Sequence, residues 1–353
     1  MQVSVVPIAE LEPHHISRWD ELMRDNGVLD NPFLRPECAQ WVGTVLPNIE
    51  VAVLSEDQKT VGFFPYERTA GDVAVPLMRS LTDLHAVIIR PETDFDAGQL
   101  VKACGLRAWQ YDHHVASQKQ FEAWHCYVDP SYYMDLSNGF EAYGNQRKEA
   151  GSSFLRNTGR KQRKLEREIG PLRFEAHSAD PAAFHSLCEW KAAQLVRLGY
   201  SDMFQLNWVN DLLEAMKTVN QPSFKPLMSV LYAGDTMVAA QLGAASPTAA
   251  SSWIPTFNFE YARYSPGTIL QIEMARWAAE QGIQRIDLGR GENQMKLCLA
   301  SASFDVAIGS VDHRILHRTL TRSYYGLRNL VHASPLKKIS KTAMRRVKAL
   351  VGR

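Results

Sequence analysis

A mixed α/β fold is predicted by three features of the sequence. Apolar stretches with β-branched residues flank short polar turns and read as hairpins, and stretches of helical period precede them. Late in the chain the order becomes strand–loop–helix–strand–loop–helix, which supplies a βα crossover and argues for an α/β or α+β class with a mixed sheet. The composition agrees: 353 residues, 45% hydrophobic and 22% charged, are those of an ordinary globular chain with enough length for two domains.

Taken in order, residues 15–25 place Ile16, Trp19, Leu22 and Met23 on one helical face, and Asn31-Pro32 starts a second helix running through Trp41 and Val42. IEVAVL, the turn SEDQKT and VGFFPYER make a hairpin. Extended stretches follow at residues 73–78 and 86–89, then a helix at 96–104 and strands at 108–111 and 132–136. Residues 138–170 are polar and helical, ending in the basic FLRNTGRKQRKLEREIG. Beyond them come a strand at 172–175, helices at 180–198 and 208–219, and the hairpin PLMSVLY–AGDT–MVAAQLGAA. Two helices followed by a hairpin thus occur twice, the pattern of an internal structural repeat.

Charge is unevenly placed. From His313 to the end there are eleven Lys/Arg and no Asp/Glu, which leaves a body of net charge −10 ahead of a basic, amphipathic helical tail at 313–353. Such a tail suits an anionic membrane surface, RNA, or the acidic body itself. Five scattered cysteines without C-x-x-C spacing read as reduced thiols, and neither a signal peptide nor a membrane-spanning run is expected, which points to a cytoplasmic protein, peripheral at most to the inner face of a membrane. No ligand set is spaced for a metal around Asp112-His113-His114 or His125, G-x-S-x-G is absent, and neither a dinucleotide fingerprint nor a P-loop is present. Specific nucleic-acid recognition finds no module.

The stretch that carries chemistry is 251–300. SSWIPTFNF reads as a buried strand; the loop EYARYSPGT leads into the helix ILQIEMARWAAEQG; IDLG is a short strand, and a turn and another helix follow. Ser265 is expected to cap the helix, with Pro266 in its first turn and Gly267 permitting close backbone approach. The N–H groups of Gly267, Thr268 and Ile269 would then face outward at the positive end of the helix dipole, where phosphate binds readily, although S-P-G-T is also a plain N-cap.

This segment, WIPTFNFEYARYSPGTILQIEMARWAAEQGIQRIDLGRGENQMK, resembles the acyltransferase domain of CelD-like cellulose and polysaccharide biosynthesis proteins. That family belongs to the GNAT superfamily and is similar to Fem-type aminoacyl transferases. RKQRKLEREIGPLRFE, EWKAAQLVRLGYSDMF, SVLYAGDTMVAAQLG, NPFLRPECAQWV and VGFFPYER extend the resemblance over about residues 30 to 310. It implies tandem GNAT-like domains, here 1–150 and 151–312, with acetyl-CoA or another acyl-CoA as co-substrate in the second. Ser265, Pro266, Gly267 and Thr268 would form the pyrophosphate loop, and the strand bearing Trp253 and Phe257 would pair with the pantetheine arm and offer N–H to the thioester carbonyl. Asp287, Glu292 and Lys296 are the candidates for proton handling and charge stabilisation, each with an ordinary reading as cap, solvated turn or surface lysine. Two positions depart from the family pattern: Met295 precedes the lysine where Tyr is expected, and Gln241 stands near an expected His. Trp190, Lys191 and Gln194 on one helix, with Gln241 and the basic Arg160, are candidate acceptor contacts.

The function implied is acyl-CoA-dependent N- or O-acylation of a polysaccharide or cell-surface glycan precursor. Its alternatives are tRNA-dependent aminoacyl transfer and a non-catalytic scaffold in a polysaccharide-synthesis complex.

Overall fold

The computed structural model describes residues 1–314 except Asp25, Val28 and Asn220. The predicted basic helical tail therefore lies, from residue 315 on, outside the described residues. In chain order the elements are β1 (Gln2–Pro7), α1 (Pro13–Arg24), α2 (Pro36–Gly43), β2 (Ile49–Glu56), β3 (Lys59–Thr69), β4 (Val73–Val75), β5 (Ile88–Ile89), α3 (Ala97–Ala103), β6 (Ala108–Val115) and β7 (His125–Asp135). Then follow α4 (Gly139–Glu149), α5 (Phe154–Glu168), β8 (Leu172–Glu175), α6 (Pro181–Arg197), α7 (Asn207–Met216), β9 (Lys225–Ala233), β10 (Thr236–Ala245), β11 (Ala249–Phe257), α8 (Pro266–Glu280), β12 (Arg285–Arg290), α9 (Gln294–Leu299) and β13 (Ala302–Asp312). The fold is mixed α/β, as the alternation of hairpins and helices predicts.

The chain forms two compact units, and neither is contiguous. Of the described residues, the first takes Met1–Asn26, Asn48–Asp129 and those from 305 to 314; the second takes Gly27–Pro47 and Pro130–Phe304. A simple division of the body into 1–150 and 151–312 does not describe this packing. Residues 27–47 belong with the second unit because Trp41 packs on Phe224 and donates its indole N–H to the Leu212 carbonyl of α7 at 3.1 Å. Residues 305–312 belong with the first because β13 runs antiparallel to β6. The two helix–helix–hairpin stretches therefore do not each close on themselves: α1 packs over its own hairpin, with Trp19 stacked on Phe63 at 5.0 Å, whereas α2 sits against α7.

In the first unit the strands run in the order β1-β2-β3-β4-β6-β13, with β5 on β3. Phe64, Tyr66, Trp109 and Phe121 fill the space beneath α3. This core also encloses imidazoles. His85 and His114 are buried and bridge backbone to backbone, and His125 lies half-buried beside Tyr111. Both ring nitrogens of His114, and Nε2 of His85 and His125, have no hydrogen-bond partner in the protein. Burial accordingly drives the His114 pKa well down and that of His85 to about 3.

In the second unit the order is β7-β12-β11-β10-β9-β8, antiparallel throughout except for the parallel β11–β12 pair. The helix α8 returns from β11 to β12 over a core of Met134, Ile272, Met274, Ala275, Ile286 and Leu299. Ile269 and Leu270 of α8 pack with Leu231, Val238 and Leu165 of α5 in a neighbouring cluster.

The buried imidazoles predict acid sensitivity with a definite sign. They are neutral in the fold and protonate near pH 6.5 once the chain unfolds, so stability is full above pH 6.5 and is lost as pH falls below it. For each fully buried histidine the loss at pH 5 is about 2 kcal/mol relative to pH 8. Urea unfolding of the first unit, followed by tryptophan fluorescence at pH 8, 6.5 and 5, checks this, and His114→Phe is expected to flatten the dependence.

Candidate functional site

The geometry of the second unit turns on where β11 and β12 part. They pair in parallel for only Ala249–Arg285, Ala250–Ile286 and Ser251–Asp287. At that level both strands are irregular. The register of β11 on β10 slips between Ala244 and Leu242, leaving an extra residue opposite Gly243, and that of β12 on β7 slips between Asp287 and Gly289. Bulges bend strands and raise their twist. Gly243 is required here: a Cβ would run into the Ser251 carbonyl oxygen. Gly289 adopts φ +78°, a conformation that favours glycine.

Beyond Ser251, β11 keeps β10 on one side and has no strand partner on the other among the described residues. The Asn258 N–H donates to Val238 across the β10 side, so by alternation Pro255 and Phe257 turn their backbone groups the other way. Two observations agree. Pro255, which lacks an N–H, occupies a position where the ladder needs none, and its carbonyl accepts from Lys191 Nζ at 3.1 Å. Of the acceptor candidates on α6, Lys191 thus lies at this edge, and Trp190 and Gln194 are half-buried on the same helix.

A wedge of backbone lies against the parting strands where they begin to separate. A 3-10 turn at Pro32–Leu34 carries Phe33 edge-on to Trp253 at 5.4 Å, and Trp41 meets the same indole at 6.3 Å. The predicted helix start at Asn31-Pro32 is this turn, and α2 begins four residues later at Pro36. Trp253 is therefore buried among aromatic rings.

Asp287 is buried at the strand separation. Its Oδ2 accepts from Asn31 Nδ2 at 2.6 Å and from Arg285 at 3.3 Å; Arg285 Nε also lies 2.9 Å from Oδ1 as an ion pair outside hydrogen-bonding alignment. Burial pushes the carboxyl pKa up, opposed by Arg285 and Asn31. Arg285 in turn donates to the Asp30 carbonyl at 2.6 Å and lies over the Tyr133 and Phe304 rings, 5.5 and 5.7 Å from their centroids. Asp287 thus pins the wedge, and Lys296 Nζ donates to the Arg290 carbonyl at 2.7 Å.

Glu292 emerges just past β12 and accepts from Tyr132 Oη at 3.0 Å. Tyr132, on β7 opposite Gly289, carries no local motif, and only the β7–β12 pairing brings it to Glu292. Gln241 is fully buried, its Oε1 accepting from Ser252 Oγ at 2.8 Å and Gln271 Nε2 at 2.5 Å, so it ties β10, β11 and α8 together instead of lining an open groove.

At the start of α8, Ser265 takes a left-handed conformation, φ 54°, and its side chain makes no capping bond, contrary to its expected role. Its Oγ accepts instead from Lys161 Nζ of α5 at 2.7 Å. Its carbonyl accepts from both the Thr268 and Ile269 N–H groups, at 3.0 and 3.2 Å, so these do not face outward as expected. Gly267 keeps its amide available and packs against Phe257, which a Cβ would meet at 3.4 Å. Pro266 is buried in the first turn. The rest of the basic helix is largely engaged: Lys164 and Arg167, with Arg263 from the turn before α8, surround Glu168, which also accepts from Tyr264 at 2.6 Å, and the exposed Arg160 donates to Asn157 at 2.6 Å. The Tyr264 bond and these cations hold the Glu168 pKa below its ordinary value.

Among the described residues no group of three or more His, Cys, Asp or Glu side chains is placed to hold a metal, and no helix is long and apolar enough to cross a membrane.

Residues 152–297 match the family model of the acetyltransferase (GNAT) domain. Among solved structures, FemX aligns at TM-score 0.50 and 9% identity, over 74% of this chain and 87% of that one. A structure from Agrobacterium fabrum, described as the C-terminal domain of a lysylphosphatidylglycerol synthetase, aligns at TM-score 0.52 and 12% identity, over 87% and 96%. At such identities the likeness is one of fold. A sequence search of the curated proteins finds no match. Over residues 152–297 the second unit thus has a GNAT acyltransferase-type fold, and the parting strands and the helix between them lie within it.

Removing the charge at the wedge strands Arg285 in the interior. Asp287→Asn is expected to destabilise the protein by about 3 kcal/mol or more, and Asn31→Ala by about 1–3 kcal/mol. Gly243→Ala should cost about 1–3 kcal/mol through the clash with Ser251. Urea denaturation midpoints measure all three.

Proposed function

We propose that the protein is an acyl-CoA-dependent N- or O-acyltransferase whose donor lies along the free edge of β11. The observation that carries this reading is the early separation of β11 from β12, which leaves Phe257 turning its backbone groups away from β10 beside the start of α8. The residues fit an acyl thioester with a phosphate-bearing handle. The edge runs alongside an extended acyl arm, and Gly267 without a Cβ lets the loop close on Phe257. Lys161 and the Gly267 amide, at the positive end of a helix of 15 residues, suit a phosphate. Ser265, Pro266 and Thr268 would hold the loop's shape, Ser265 through its left-handed turn and Thr268 through its bond back to Ser265.

In this reading the Phe257 N–H faces the position where charge develops on an acyl carbonyl. Glu292 takes the proton from the attacking amine or hydroxyl, and Tyr132 holds the carboxylate in place. Lys296 contributes positive charge near the end of β12. Trp190, Lys191 and Gln194 of α6 border the acceptor side. The resemblance to CelD-like proteins supports a polysaccharide or cell-surface glycan precursor as acceptor, and the basic tail supports work beside an anionic surface.

One observation favours a second reading. With Thr268 and Ile269 already bonded to Ser265, the loop offers one backbone amide and one lysine, a modest cradle for a pyrophosphate. An aminoacyl ester donor, as in Fem-type transfer, does not call for that cradle.

Calorimetric titration with acetyl-CoA and longer acyl-CoAs separates the two. Micromolar binding is expected, abolished in Gly267→Trp and weakened at least fivefold in Lys161→Ala. Absence of binding to every acyl-CoA overturns the first reading and directs attention to aminoacyl-tRNA. Once an acceptor is found, Glu292→Gln should lower kcat by about 10²- to 10⁴-fold with little change in donor affinity.

A further inference from the structure

A cleft of about 600 Å³ opens between α4, the first turn of α5 and the outer face of α8. Arg276, which lines it, lies eleven residues after Ser265, about 16 Å along the α8 axis at the helical rise. It is therefore a separate place from the loop at the start of α8. Lys148, Arg156 and Arg276 line it, with Glu141 as its acidic residue and Phe140 and Leu155 as its apolar wall.

The Arg276 guanidinium is already held for recognition. It rests on the Phe140 ring, 4.3 Å from its centroid, and Glu273 lies 3.8 Å from its Nε. Stacking immobilises the plane and leaves its edge donors to meet a planar or tetrahedral oxyanion. Arg156 contributes a second fork and Lys148 a point charge.

The local electrostatics suit an anion. The first turn of α5 contains no acidic residue and does contain Arg156, so a cation stands at the positive end of the helix dipole. Ser153 makes no side-chain capping bond and accepts instead from Asn157 Nδ2 at 3.0 Å. Arg156 opposes ordinary helix design here, whereas Lys148 stands in the last turn of α4 and Arg276 has Glu273 beside it. Such local conflicts concentrate where function requires them.

We propose that this cleft binds the phosphate of an organic phosphoester. Lys148, Arg156 and Arg276 meet the phosphate oxygens, and Phe140 and Leu155 accommodate the ester group. The cavity is far larger than one phosphate requires, which argues for a phosphate bearing a further group. A lipid headgroup and a soluble phosphoester share this chemistry.

The test uses the full chain and does not depend on acyl transfer. Pyrophosphate is titrated calorimetrically, and in parallel the protein is sedimented with vesicles of phosphatidylglycerol in phosphatidylcholine. Saturable binding is expected, weakened at least tenfold by Arg156→Gln and by Arg276→Gln and less than threefold by Lys161→Ala. These side chains are exposed, so unchanged urea midpoints will show that the variants fold. Variant-sensitive binding of pyrophosphate alone identifies a soluble phosphoester, and variant-sensitive binding of vesicles a lipid headgroup; either supports the site. Binding that is absent from both arms, unaffected by Arg156→Gln and Arg276→Gln, or removed by Lys161→Ala alone overturns it.

Discussion

One buried carboxylate organises the second unit. Asp287 sits where the parallel ladder of β11 and β12 ends, and it holds Arg285 and Asn31 together. Through Asn31 and the carbonyl of Asp30 it fixes a segment from far upstream beside the diverging strands. A charge at this depth is tolerated only because each partner is also bound, Arg285 by aromatic faces and backbone oxygen, Asn31 by its turn. Removing one member leaves the others desolvated. The wedge and its aromatic packing on Trp253 are anchored by this tie.

The strand separation then determines what the domain presents. Parallel strands ordinarily continue side by side, buried on both flanks. Here a bulge opposite Gly243 and another near Gly289 turn the strands apart, and the exposed backbone polarity of β11 runs toward the α8 loop. The same loop draws its charge from α5 rather than from its own residues, because Ser265 uses its carbonyl internally and lends its hydroxyl to Lys161. Charge on this protein is therefore assembled across helices, at the α8 loop and in the cleft lined by Lys148, Arg156 and Arg276 alike.

Much of the secondary structure was readable from local pattern. The strand at 172–175, the two hairpins and the helices α6 and α8 carry strong periodicity or clear terminators, such as Asp180-Pro181 and Gly282. β1 and β13 are not legible in local pattern, β1 because it is short and half-exposed, β13 because it follows a helix and pairs with a strand nearly two hundred residues earlier. Of the candidate site, the loop 265–268, Glu292 and Lys191 were legible as residue types in a suggestive order. Tyr132 and Lys161 were not assigned roles there, since a tyrosine in a strand and a lysine in a basic helix look like many others.

The sequence by itself determined the fold class and most of the order of hairpins and helices. These depend on hydrophobic period and turn chemistry, which act over a few residues. Only the tertiary structure decided that residues 27–47 join the second unit, that Asp287 serves as a buried tie, and that Lys161 serves a loop one hundred residues away. Those outcomes rest on which polar groups find partners when buried. Desolvation makes an unpaired charge costly wherever its partner lies in the chain, and local pattern holds no record of that partner.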